Sequence, residues 1–109
     1  MEHEELEQIM GLIVHGGNAK SLAVEAIRFA KNDQFEEAEE KLKEANKALS
    51  EAHHAQTAML TEEAKGNPTK LSLLMVHGQD HLMNAITFID MAKEMIEVYQ
   101  RLAKLEVNK

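Results

Sequence analysis

Residues 73–98 read LLMVHGQDHLMNAITFIDMAKEMIEV. Wound as an α-helix at about 100° per residue, they place Leu74, Met75, Gly78, Leu82, Ala85, Ile86, Ile89, Ala92 and Ile96, with Leu71 just upstream, on one broad apolar stripe. Such a stripe suffices to pack one helix against two others. A second series, Leu73, His77, Asp80, Asn84, Thr87, Met91, Glu94 and Val98, advances by alternating steps of four and three along the opposite side. A three-helix subunit needs one buried face per helix. A helix with two is expected to be buried in an oligomer as well, with His77 and Asp80 on or beside the joining seam.

Outward from this segment, two places interrupt the helical pattern. In KNDQFEE (31–37), Asn32 can close a helix in a left-handed conformation, and Asp33 with Glu36 can form a capping box for the next. In KGNPTK (65–70), Gly66 suits a helix end and Asn67-Pro68 a cap followed by a first helical position. Helices are therefore expected at roughly 3–31, 34–64 and 69–106, within a single domain spanning 1–109. Short connections make neighbours antiparallel, giving an all-α, up-down-up three-helix hairpin per subunit. Gly11, Gly16 and Gly17 mark either a bend in the first helix or sites of close helix approach.

With 109 residues and one proline, the chain suits one helical domain. Having no cysteine, it has neither disulfides nor thiolate metal sites. No apolar run reaches the roughly 18 residues that mark a membrane span, and the acidic start MEHEELEQIM does not read as a signal peptide. A net charge of −7 disfavours nucleic acid or an anionic membrane as partner. The charged face of the second helix, with pairs such as Glu37–Lys41 and Glu39–Lys43, reads as a solvated surface.

The polar cluster His77, Asp80, His81 occupies one turn of the third helix. Ionisable groups on an apolar segment are paired, bound or used. In a symmetric oligomer the nearest neighbours of Asp80 are its own copies, which calls for protonation, water, or a hard cation such as magnesium or calcium. A polar residue there also serves to fix register and oligomer number.

His77 and His81 at i and i+4 match a helical zinc-binding pair, to which His53 and His54 add ligands if they lie at the same height. Glu51-x-x-His54 is half of a di-iron signature whose other half the sequence lacks. Imidazole, with an ordinary pKa of about 6.5, is also a nucleophile at neutral pH and can carry a phosphoryl group in a labile P–N bond. His77 lies mid-helix, beyond free helix amides, so donors to the phosphate must be side chains. His81 and Gln79 are the local candidates, and Gly78 is expected to open space beside His77 for a partner.

The segment LLMVHGQDHLMNAI (73–86) closely resembles the active-site helix of the lactose/cellobiose (N,N'-diacetylchitobiose)-type IIA components of the bacterial sugar phosphotransferase system. IMGLIVHGGNAKSLAVEAI (9–27) is similar to that family's first helix and AEEKLKEANKALSEAHHAQTAML (38–60) to its second, including the EAH-x-x-QT pattern. The resemblance implies a cytoplasmic homotrimer. By position it makes His77 the acceptor of a phosphoryl group from phosphorylated HPr. The group then passes to a cysteine of the cognate IIB component during uptake of an oligosaccharide, so the membrane is met only through IIB and IIC. Asp80 corresponds to the residue that binds a divalent ion at the trimer axis, expected to be one magnesium per trimer. Gln79 and His81 match motif positions beside the acceptor, where they are expected to steady its phosphate. Two other readings stand beside this one, a regulatory helical trimer without catalysis and a metalloprotein using the histidines.

Overall fold

The structure, a computed structural model, describes residues 3–107. Three helices account for nearly all of them: α1 (His3–Lys31), α2 (Phe35–Ala64) and α3 (Leu73–Val107), with no strand among the described residues. They form the expected up-down-up bundle, a rod of 62 × 22 × 20 Å.

The buried positions explain why the rod is narrow. On α1 they are Ile9, Leu12, Gly16, Ala19, Ala23, Ala26 and Ala30, and on α3 Met75, Gly78, Leu82, Ala85, Ile89, Ala92 and Ile96. Both series step by alternating threes and fours, the spacing that keeps a straight seam between nearly parallel helices. Most of the residues are alanine or glycine, so the helix axes approach closely. The seam is Ala-rich along its length, where Ala19, Ala23, Ala26, Ala45, Ala85 and Ala92 meet beside Ile89 and Ile96. Toward the other end a smaller cluster of Ile9, Leu12, Ala52, Met59, Met75 and Leu82 takes over. This second cluster is the floor under His77 and His81.

The helix ends show how local bonding sets the boundaries. α1 stops as expected near Asn32, but the left-handed residue is Asp33 (φ 62°), not Asn32. Its amide donates to the Ala30 carbonyl and that of Gln34 to the Phe29 carbonyl, the paired bonds of a Schellman end. With Asp33 used in this way, the proposed capping box is absent. Gln34 takes the N-cap position of α2 without a side-chain cap bond, and the Asn32 amide turns back to the Arg28 carbonyl. Gly66 (φ 95°) ends α2 as expected, with Gly66 N bonded to Glu63 O and Asn67 N to Glu62 O.

α3 begins at Leu73, four residues later than the expected start at 69. Ser72 is the cause: its Oγ accepts from the Met75 amide at 3.1 Å, and its carbonyl accepts the first helical bond from Val76. Residues 67–72 therefore lie outside the helix, and Leu71, assigned above to the buried stripe, is 81% exposed. On α2, Lys41 reaches across to Glu25 of α1 at 3.2 Å and to Glu44 at 3.4 Å rather than pairing with Glu37. Glu25 raises the Lys41 pKa above its ordinary value by hydrogen bonding and charge, and Glu44 adds to the effect.

Candidate functional site

The second series on α3 faces away from the bundle. Leu73, His77, Asp80, Asn84, Thr87, Met91, Glu94 and Val98 are all exposed in the single chain, Leu73 at 86%. The first series is buried from Met75 to Ile96 except for half-buried Ile86. The two faces read from spacing alone are thus the two faces of the helix, and the outer one carries an apolar and polar mixture without a partner inside the chain.

His77 and His81 meet on this surface. Their Nε2 atoms are 3.1 Å apart and their rings stand edge-on, 89° between planes with centroids 4.4 Å apart. His77 is exposed and His81 half-buried. One proton fits between the two nitrogens, so when both rings are neutral one Nε2 donates and the other offers a lone pair. The backbone beneath the pair is tightly seated. A Cβ placed on Gly16 of α1 would come within 3.2 Å of the His81 carbonyl carbon and oxygen and 3.3 Å of the Leu82 amide nitrogen. Of the two readings for the first-helix glycines, Gly16 is a site of close approach, whereas Gly11 and Gly17 face open space.

Two further residues do not take the roles expected of them beside His77, although Gly78 does lie on the buried stripe. Gly78 is buried and faces α1, its virtual Cβ 3.4 Å from the Ile9 carbonyl oxygen and 3.5 Å from Leu12. It therefore serves the α1–α3 packing and does not open space beside His77 for a partner. Gln79 points into the bundle: its Oε1 accepts from Gln56 Nε2 at 2.7 Å, and its Nε2 lies 3.7 Å from the Met59 sulfur and 3.6 Å from that of Met75. The structure thus brings His81 to His77 and commits the Gln79 amide to α2. Asp80 is exposed one turn along from His77, on the outer face.

Gln56 carries no assigned role in the sequence reading. The signal was available: it occupies the inner stripe of α2 between buried Ala52 and Met59, where an amide must find a partner. His53 and His54 are exposed, and no group of three or more His, Cys, Asp or Glu side chains converges among the described residues. The di-iron half-motif and the four-histidine zinc arrangement are therefore not assembled within the chain.

The family model for the lactose/cellobiose-specific IIA subunit of the phosphotransferase system matches residues 7–100. The chain belongs to this family. Among relatives, it is 52% identical to the lichenan-specific phosphotransferase enzyme IIA component of Bacillus subtilis (strain 168), over 94% of each chain. Among solved structures, the cellobiose-specific enzyme IIA of Bacillus anthracis superposes with a TM-score of 0.91 at 44% identity, covering 95% of this chain and 94% of the other. The IIA(chitobiose)–HPr complex of the Escherichia coli N,N'-diacetylchitobiose branch gives 0.79 at 37% identity, over 94% and 99%. No helix in the described residues is long and apolar enough to cross a membrane. The IIA family assignment gives the histidine pair its chemical context, that of a phosphotransferase component.

Proposed function

We propose that this IIA chain is a cytoplasmic phosphocarrier whose acceptor is His77. It takes the phosphoryl group from phosphorylated HPr and passes it to a cysteine of its IIB partner during uptake of a lactose/cellobiose-type oligosaccharide. The observation that carries the reading is the exposed His77 imidazole with a second imidazole 3.1 Å from its Nε2. The HPr complex of the chitobiose-type relative supports HPr as the donor.

In the tautomer where His81 donates, His77 Nε2 carries no proton, and its lone pair becomes the nucleophile as the hydrogen bond from His81 opens. As the bond from phosphorus to the donor breaks, the new P–N bond forms at that nitrogen. The Nε2–H of His81 is then released to hydrogen-bond a phosphoryl oxygen. Such transfer asks mainly for positioning and for charge-complementary donors. Gln79 contributes from beneath, holding α3 to α2 through Gln56 rather than touching phosphate.

The same reading makes the outer face of α3 the seam of a homotrimer, which supports a role for Asp80. Its carboxylate is a hard oxygen donor of the kind magnesium takes, and among the described residues it belongs to no group of three or more His, Cys, Asp or Glu side chains. It fits the ion only as one ligand from each of three copies at a shared axis. The ion would neutralise three converging carboxylates there, away from the transfer step.

Phosphoryl relay to purified IIB tests the function. Chain charged by phospho-HPr is mixed with IIB, and loss of label from the chain with its appearance on a IIB cysteine is expected. A charged chain that never passes label to IIB would favour a regulatory role instead.

A further inference from the structure

We infer that His77 and His81 also form a chelating site for an imidazole-preferring transition-metal ion of the zinc class, and that metal and phosphoryl group exclude one another there. The metal site stands on geometry alone; the exclusion rests on His77 being the phosphoryl acceptor, as proposed above.

The separation of the two rings suits a shared ion. Zinc binds imidazole nitrogen at about 2.0–2.1 Å with tetrahedral angles, which sets two nitrogens on one ion roughly 3.3–3.4 Å apart. The Nε2 atoms of His77 and His81 already face each other at 3.1 Å. Admitting the ion requires the rings to part by a few tenths of an ångström, within the reach of small side-chain rotations. The ion replaces the single shared proton, so both nitrogens present lone pairs to it and the proton leaves to solvent.

The site is also held and reachable. The His81 backbone is pinned against Gly16, and its neighbours Gly78 and Leu82 are buried against α1, so one ligand is fixed in place. His77 is exposed in the single chain, at the edge of the outer face, leaving the remaining coordination positions to water or to a donor from another chain. Donor type separates this site from the carboxylate seam: paired imidazoles select zinc, copper or nickel, whereas magnesium prefers oxygen and keeps its waters. Once bound, the ion uses the lone pair with which His77 would attack phosphorus. A phosphoryl group on that nitrogen removes the same lone pair from the metal.

Untagged full-length protein, stripped by chelator and held in millimolar magnesium, is titrated with zinc by calorimetry. One ion per chain is expected. His77→Ala and His81→Ala should each weaken binding by about tenfold or more, since loss even of a ligand's outer partner costs that much. His15→Ala and the double variant His53→Ala/His54→Ala should leave it unchanged. Circular dichroism checks that each variant keeps its helices. Absent saturable binding, or binding as tight in either the His77 or the His81 variant as in wild type, overturns the site. Chain pre-charged by purified phospho-HPr should bind no zinc at this site, and binding as tight as that of the uncharged protein overturns the exclusion. Zinc binding that needs both histidines in a chain that takes no phosphoryl group on His77 would leave the chelate standing and remove the phosphocarrier reading.

Discussion

Gly16 on α1 lies directly against the backbone of His81 on α3: a Cβ there would stand 3.2 Å from the His81 carbonyl carbon and oxygen. The obstacle is backbone, so relief requires moving α3 at the turn that carries the histidine pair. Gly78, by contrast, has ordinary contact distances to Ile9 and Leu12 around its virtual Cβ. Alanine in a helix interior gains up to about 1 kcal/mol over glycine. Gly78→Ala is therefore expected to be neutral or stabilising by up to about 1 kcal/mol. Gly16→Ala is expected to lose about 1–3 kcal/mol through overpacking. Urea denaturation of the two variants measures this, and equal stabilities would contradict the assigned packing.

Gln56 and Gln79 tie α2 to α3 through a 2.7 Å amide bond within the methionine-lined end of the core. Gln56→Leu leaves the Gln79 oxygen without its donor, at a cost of about 1–3 kcal/mol. Replacing both by leucine removes the orphan and is expected to recover part of that loss. A double-mutant cycle reads the coupling, and strictly additive effects would show that the bond contributes nothing.

Asp80→Leu replaces a carboxylate on the outer face of α3 with an apolar side chain among Leu73, Met91 and Val98, which are exposed in the single chain. On the proposed homotrimer, chelating divalent ions is expected to loosen wild-type assembly and to leave assembly of the variant unchanged. Sedimentation with and without chelator decides. Metal-dependent assembly in Asp80→Leu would contradict a role for this residue in holding the ion.

Lys41 gains stability from Glu25 and Glu44, which raise its folded pKa above the ordinary lysine value of 10.5. For a raised lysine pKa the contribution is full below the unfolded value and disappears as pH rises through the folded one. The thermal midpoint of wild type should therefore exceed that of Lys41→Met by a constant margin from neutral pH to about 10. The margin should shrink above that. A margin that grows in strong alkali would contradict the pairing.

The heptad-like spacing of α3 made both of its faces legible in the sequence, because residues at alternating steps of three and four share one side of a helix. Local competition was harder to read. Ser72 against Asn67-Pro68, and Asp33 against Asn32, are choices between nearly equivalent caps that residue type alone does not rank. At the site, i and i+4 placed His81 beside His77, since that spacing is a property of the helix itself. Spacing likewise put Gly78 on the buried stripe, whereas the partner that Gln79 takes depends on which helix lies beneath, and spacing within α3 does not contain that information.

The central claim is that His77 changes state. The chain is incubated with phosphoenolpyruvate, enzyme I and HPr, and the phosphate is located by peptide mapping under alkaline conditions that preserve P–N bonds. The account predicts one acid-labile, base-stable phosphoryl group per chain on His77, none in His77→Ala, and slower but surviving labelling in His81→Ala. Full labelling of His77→Ala, or phosphate located on any other histidine, would contradict it.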